Sequence, residues 1–329
     1  MANKASTFLT IVGTIIGCGF LSGKELVVFF SRFGCWSYLG IFCLLFFFYF
    51  VFKFLLGLKS HVVEKISSSR LFLIFNSSVC VIFSAAMVAS LKESLDLFLP
   101  IKIFVFILIF FLCSLILKKG LKVFGKINNF LVPIIILIFV ILLGLNFKFD
   151  FSFPRTNLPF PAIFYSLLYC VLNASNSSVV IASLGQKLSE KEKARVAFFA
   201  AFVLVLILFF ANSVLLENQD SLNAVMPFLS IFPSWQKVVL KFVIILGSLT
   251  TLFSLVYNFH ISLSKKSKIS ACFFSIVLPF ALSFIGFGNI VAFLEPIASV
   301  LSLLVLGFLF KENLSNKSQH KALTKRKNL

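Results

Sequence analysis

The sequence GTIIGCGFLSGKE, from Gly13 to Glu25, decides the fold, because it places four glycines inside the first long apolar segment of the chain. A glycine costs about 1 kcal/mol relative to alanine inside a helix. In a membrane, interrupted backbone is tolerated only where it is buried in protein or lines a cavity. The stretch therefore predicts a discontinuous first helix whose open backbone groups form a binding site. Close helix packing through small residues spaced four apart is the alternative.

The composition predicts an all-α integral membrane protein. The chain is 60% hydrophobic and only 12% charged, with a mean hydropathy of +1.07. Apolar stretches of about 20 residues, the length that spans a bilayer, recur along the chain. We expect ten transmembrane helices, with the lipid bilayer as their surroundings.

The net charge of +19 indicates topology rather than nucleic-acid binding. If the chain crosses ten times with both ends inside, the inner segments hold 22 of the 30 Lys and Arg but only four of the 11 Asp and Glu. Membrane proteins carry such an excess of positive charge on their cytoplasmic loops. We therefore expect a multi-pass protein of the cell membrane with cytoplasmic termini.

The sixth apolar segment contains a second anomaly, the polar run NASNSS from Asn173 to Ser178. Weak places in helices 1 and 6 occupy corresponding positions of two five-helix halves, as in transporters built from inverted repeats. This pattern predicts a first repeat over 1–147, a second over 148–310 with helix 6 also discontinuous, and a basic cytoplasmic tail over 311–329. Hydrogen bonding between intact helices is the alternative explanation of the polar run.

The motif GTIIGCGF at 13–20, followed by SGKE at 22–25 and FFSRFG at 29–34, resembles the start of YkvI-like membrane proteins. That family looks like a branch of the amino acid–polyamine–organocation (APC) superfamily. The resemblance covers about 25 residues closely. It implies a LeuT-type five-plus-five fold and a transporter-like architecture, but no particular substrate.

The resemblance also implies a sodium site between helices 1 and 8. A hard cation prefers oxygen ligands, which unwound carbonyls and neighbouring hydroxyls supply. Some proton-coupled relatives place a lysine from helix 5 there, and residues 129–145 contain none. Hydrogen bonds from threonines to their own helix are the alternative. The predicted sodium ligands are Gly13, Ile16, Gly247, Thr250 and Thr251.

The substrate is expected where helices 1 and 6 meet. Free amides at the start of a half-helix favour a carboxylate, and the polar run of helix 6 faces the same place. Ordinary packing is the alternative role for the tyrosine among these residues. The predicted substrate-binding residues are Cys18, Gly19, Phe20, Tyr169, Asn173, Ser175 and Asn176.

Charged residues inside the membrane are expected to be functional. We predict a gate formed by Lys24, Glu25, Arg32 and Glu295, in which Lys24 or Arg32 meets Glu295 across the outer vestibule. Snorkelling of the long side chains to the interface is the alternative.

These features favour a secondary active transporter of a small amino acid or organic acid. Sodium coupling is preferred, proton coupling is the second choice, and a solute sensor with the same fold is a third. No cofactor is expected apart from the coupling ion. An enzyme is not expected, because the three histidines lie near inner ends or in the tail and the intramembrane acids are not predicted to pair as an acid/base site.

Overall fold

The structure is a computed structural model that describes residues 4–59, 69–95, 121–148, 159–263 and 277–327. Nearly all of these residues are helical. The helices are α1 (Lys4–Ile15), α2 (Cys18–Ser22), α3 (Lys24–Phe29), α4 (Trp36–Gly57), α5 (Arg70–Leu95), α6 (Leu121–Asn146), α7 (Phe160–Gly185), α8 (Glu190–Glu217), α9 (Pro227–Ile231), α10 (Ser234–Leu263), α11 (Phe287–Asn289) and α12 (Glu295–Lys327). Residues 277–282 are also helical.

Within the described ranges, seven helices are long and apolar enough to cross a membrane. They are α4, α5, α6, α7, α8, α10 and the continuous stretch Phe287–Ser315. The protein is therefore an all-α, multi-pass integral membrane protein. Of the apolar stretches from which ten helices were predicted, 101–117 lies outside the described residues, and so do residues 269–276 of the stretch 269–287.

Polar contacts tie helix termini together at the two ends of the bundle. At one end, Lys4 at the start of α1 forms a 2.8 Å ion pair with Glu192 in the first turn of α8. At the other end, Asn146 at the end of α6 donates to Gln236 at the start of α10 over 2.6 Å. Helices α6 and α10 thus run in opposite directions.

The predicted break in the first helix is confirmed. Helix α1 ends at Ile15 and α2 begins at Cys18, and the Gly17 amide bonds to the Ile15 carbonyl over 2.8 Å. This bond reaches back two residues, whereas a continuous helix would bond Gly17 to the carbonyl of Gly13. The backbone of Gly17 is extended, with φ −102° and ψ −171°. The interruption thereby releases carbonyl groups in the centre of the bundle.

A second interruption follows at Gly23, which joins α2 to α3. Its φ of +84° is left-handed, a conformation that glycine adopts without the steric cost paid by other residues. A side chain there would also crowd the Phe228 ring, at 3.0 Å. The first apolar segment is therefore built from three short helices, α1, α2 and α3.

The predicted discontinuity of helix 6 is wrong, because α7 is a continuous helix from Phe160 to Gly185. Its polar side chains bond within the helix instead of opening it. Asn173 Nδ2 donates to the Tyr169 carbonyl over 3.0 Å, and Ser177 Oγ donates to the Asn173 carbonyl over 2.5 Å. Such bonds to the preceding turn are compatible with an intact ladder.

Helix α7 is the centre of the bundle. The most apolar stretch of α7 is 83% buried inside the protein, compared with 39% for that of α4. Helix α7 packs against α1, α3, α4, α5, α10 and α12. Two glycines let α4 and α7 touch backbone to backbone. A Cβ on Gly40 would lie 2.7 Å from the Ala162 carbonyl oxygen, and one on Gly185 would overlap the backbone of Leu56. The polar run of α7 is consequently held in the interior.

Candidate functional site

The break in the first helix lies directly against α10. A Cβ on Gly247 would be 3.4 Å from the Ile16 carbonyl oxygen, and a Cβ on Gly17 would be 3.1 Å from the Thr251 hydroxyl oxygen. The two glycines thus allow α10 to approach the exposed backbone of Ile16 and Gly17. Three of the five predicted sodium ligands, Ile16, Gly247 and Thr251, are brought together here.

Thr251 supplies an unused oxygen at this contact. Its side chain is 1% exposed, and its hydroxyl has no hydrogen-bond partner among the described residues. The neighbouring Thr250 hydroxyl donates to the Gly247 carbonyl over 3.0 Å, which still leaves the lone pairs of its oxygen for a cation. Gly13 contacts the Val132 side chain of α6. The oxygen donors around Thr251 suit a hard monovalent cation.

The predicted substrate residues of α7 are all buried, at most 2% exposed. Tyr169, Asn173 and Asn176 follow one another at helical spacing and share a face. The Tyr169 hydroxyl, the Asn173 side-chain carbonyl and the whole Asn176 amide have no hydrogen-bond partner within the part of the chain that is described. Ser175 Oγ on the adjacent face is also unpaired. An unpaired buried polar group costs about 1–3 kcal/mol, so this face is suited to a polar ligand.

The predicted carboxylate-binding amides of the first helix lie beside a carboxylate of the protein itself. Cys18, Gly19 and Phe20 form the first turn of α2 and are buried. The place that a Cβ on Gly19 would occupy is taken by the carboxyl group of Glu25. A substrate carboxylate at Gly19 would therefore meet Glu25, and like charges at this distance repel. The contact favours a positively charged group over an anion.

Glu25 and Glu295 lie together in the interior instead of at the outer vestibule. They are 1% and 0% exposed. Helix α3, which carries Glu25, packs against the π-helical turn Ile290–Leu294 that immediately precedes Glu295. This contact brings together the two segments that carry the glutamates. This contact between the two segments was not predicted from the sequence.

The π-helical turn has a local cause in the sequence. Pro296 has no backbone amide, so the carbonyl four residues before it, that of Ala292, loses its normal helical partner. A π turn is a common response of a helix to such a defect and is frequent at functional sites. The widened turn lies beside Glu295.

The predicted pairing of Lys24 or Arg32 with Glu295 is also wrong. Lys24 Nζ donates to the carbonyl of Ala224 over 2.9 Å. The exposed guanidinium of Arg32 lies over the Tyr165 ring, 3.9 Å from its centroid. Burial of Glu295 explains the difference, because long cationic side chains at a helix end reach the interface instead of the interior.

The loop between α8 and α10 covers this end of the first helix. It contains a 3₁₀ turn, Gln219–Asn223, and the short helix α9. Phe228 of α9 is fully buried and packs edge-on against Phe139, with ring centroids 5.6 Å apart. A cavity of about 730 Å³ lies on the outer side of this loop and reaches Ala224, and neither Glu25 nor Glu295 lines it.

The Lys24–Ala224 contact gives a testable prediction about this loop. We expect Lys24→Met to raise amide hydrogen exchange in residues 218–226 by about tenfold or more, because a hydrogen bond from a charged donor contributes about 1.5–3 kcal/mol and local opening sets the exchange rate. Lys237→Met, at the same end of the bundle, is the control. Unchanged protection of the loop in Lys24→Met would show that the contact does not hold it closed.

Three further residues belong to the same interior and were not predicted. Asn258 of α10 donates to the Asn176 carbonyl of α7 over 3.0 Å, which joins the two predicted sites. Ser90 and Ser248 share a 2.9 Å hydrogen bond between α5 and α10. Asn258 could have been found from the sequence, because its amide side chain lies two helical turns after Thr251 on the same face of the helix. Ser90 had no comparable signal.

None of the family models compared with this chain matches it, and no curated protein matches it.

Proposed function

We propose that this protein is a secondary active transporter that moves a small amino-acid-like solute across the cell membrane by alternating access, with sodium as the coupling ion. The observation that carries the proposal is the break at Ile16–Gly17, packed against Gly247 and Thr251, with a buried hydroxyl that has no partner within the described residues. Broken helices at the middle of a membrane bundle form ion and substrate sites in transporters.

The solute site that we propose lies between the first helix and the polar face of α7. Asn173 and Asn176 present unpaired amide groups there, and Asn258 links this face to the α10 side of the break. Binding of an ion at Thr251 would therefore influence binding of the solute at α7 through Asn258 and Asn176. Such a shared contact is what coupling of a solute to an ion requires.

The complete architecture is part of the same proposal. It comprises ten helices as two inverted five-helix repeats, 1–147 and 148–310, a basic tail over 311–329, cytoplasmic termini and membership of the YkvI-like branch of the APC superfamily. The interrupted first helix and the opposite directions of α6 and α10 support it. The continuous α7 is a difference from that plan. Of these two helices, the first supplies open backbone and α7 supplies side chains.

Proton coupling is a second candidate that one observation favours. Glu25 and Glu295 are buried together, and a pair of carboxyl groups that takes up and releases a proton is a recurrent device in transporters. We do not propose an enzyme, and no cofactor enters the proposal apart from the coupling ion.

A thermal-shift screen tests the proposal. The purified full chain is heated in sodium or potassium chloride, with and without individual amino acids and simple amines. We expect stabilisation by at least one solute, and a larger effect in sodium, because a ligand that binds only the folded state raises its stability. Solute stabilisation of equal size in both salts would contradict sodium coupling. Absence of stabilisation by any solute would contradict the solute site.

A further inference from the structure

We propose that Glu25, Glu295 and Tyr169 form a binding site for a primary ammonium group, so that the solute is an organic cation or carries an amine as its main recognition element. This inference deepens the proposed function and rests on it only for the transport step. The site differs from the predicted sodium site at Thr251, which contains no acidic residue. It also differs from the predicted gate, in which Glu295 was expected to meet a cationic side chain of the protein.

The first step of the argument is charge. Glu25 and Glu295 are both fully buried. In the described ranges, ion pairs join Lys4 to Glu192 and Lys193 to Glu190, and neither involves Glu25 or Glu295. Two adjacent carboxylates in an interior repel each other, and each uncompensated buried charge is strongly unfavourable. A cationic occupant removes both penalties.

The second step is hydrogen bonding. Among the residues described, Oε2 of Glu25, both carboxyl oxygens of Glu295 and the Tyr169 hydroxyl have no partner. The Tyr169 side chain is 0% exposed, and its ring lies against Phe29 of α3, the helix that carries Glu25. A primary ammonium has three N–H donors and no acceptor. One oxygen from each of the three side chains would match this number of donors.

The third step is the wall of the site. The Tyr169 ring packs against Phe29 at 5.5 Å and Phe30 at 5.1 Å between centroids. Phe29 is one helical turn beyond Glu25 on the same face of α3. Aromatic faces attract a desolvated cation. The surroundings thus combine two carboxyl groups with aromatic rings, which suits an amine attached to a small apolar body.

An inorganic divalent ion fits the site less well. Within the described part of the chain, no third His, Cys, Asp or Glu joins the two glutamates. Calcium and magnesium take six or more oxygen ligands. A substrate carboxylate fits poorly at Gly19, since the carboxyl group of Glu25 already lies against it.

The test is equilibrium binding to the full chain in detergent, by thermal shift and calorimetry, with ethylamine, 1,4-diaminobutane, acetate, tetramethylammonium and sodium as probes. We expect the two primary amines to stabilise the protein. We expect acetate to have no effect, and tetramethylammonium, which has no N–H donor, to bind at least about fivefold more weakly.

The variants separate the three side chains. Glu25→Gln and Glu295→Gln are expected to weaken amine binding about tenfold or more, since hydrogen bonds to charged groups are the strong ones. Tyr169→Phe is expected to weaken it about fivefold, as for a neutral hydrogen bond. Glu217→Gln, an acid at the outer end of α8, and Tyr165→Phe, one turn earlier on α7, are matched controls that should bind like the unmodified chain.

Three outcomes would overturn the inference. One is equal amine binding by the unmodified chain and by Glu25→Gln and Glu295→Gln, each confirmed as folded by size-exclusion chromatography. Another is stabilisation by acetate as large as that by ethylamine. The third is loss of sodium binding alone in the glutamate variants, which would make the pair an inorganic-cation site.

Flux measurements keep this inference distinct from the proposed function. Amine binding through the pair without uptake into vesicles would leave the inference standing and contradict transport. Uptake of amines at unchanged rates by Glu25→Gln and Glu295→Gln would contradict the inference and leave transport standing.

Discussion

Gly185→Ala is expected to destabilise the protein by about 2–3 kcal/mol or more, the upper part of the range for overpacking a well-packed interior. The Cβ would overlap the Leu56 carbonyl oxygen and lie 2.7 Å from the Leu56 carbonyl carbon and Cα. These are backbone atoms near the end of α4, so no side-chain rotation relieves the overlap. Helix α7 must shift away from α4, and its buried polar face shifts with it.

Thermal or denaturant unfolding of the detergent-solubilised chain measures this effect. Gly144→Ala and Gly307→Ala are matched controls, since each glycine lies in a long helix and a Cβ there meets nothing within 4 Å. These two changes should be neutral or stabilising by up to about 1 kcal/mol, the helix-propensity gain of alanine. Equal stability of Gly185→Ala and the controls would show that α4 and α7 are not in backbone contact.

Thr251→Val is expected to abolish the dependence of solute binding on sodium. Valine keeps the shape of the side chain but removes the hydroxyl that lies at the break in the first helix and has no partner among the residues described. Because a buried unpaired hydroxyl destabilises the folded state, its removal should leave stability in potassium unchanged or raised. A loss of sodium response with intact stability distinguishes a ligand from a packing residue.

Thr10→Val is the control for this change. Thr10 is a buried threonine of α1 whose hydroxyl donates to the Ser6 carbonyl over 2.8 Å. Calorimetric titration with sodium should give an affinity at least about tenfold lower for Thr251→Val, equivalent to about 1.4 kcal/mol, and an unaltered one for Thr10→Val. Sodium binding by Thr251→Val at the original affinity would remove Thr251 from the site.

The membrane class and the break in the first helix followed from simple sequence rules. Spanning helices can be recognised from the length of an apolar stretch, because that length is read directly from the sequence. The glycines around Gly17 marked a weak turn because the helix penalty of glycine is local. The run Asn173–Ser178 was misjudged, since side chains that bond back to the preceding turn leave a helix intact.

The partners of the charged residues were less predictable. Lys24 and Glu25 are neighbours in the chain, yet Lys24 contacts the loop at Ala224 and Glu25 faces inward to Gly19. Adjacent residues on a helix point in different directions, and only the packing of α3 decides which of them is buried. Glu295 joins Glu25 because α12 starts where the π turn meets α3, a contact across about 270 residues of sequence that no local pattern encodes.

Uptake into proteoliposomes tests the central claim most directly. Purified protein is reconstituted in vesicles, and entry of the labelled solute that gives the largest thermal shift is followed with and without an inward sodium gradient. The account predicts concentrative uptake that requires the gradient and is lost in Thr251→Val. Binding of the same solute without any net entry would contradict a transporter and would leave a solute-binding membrane protein that does not move its ligand.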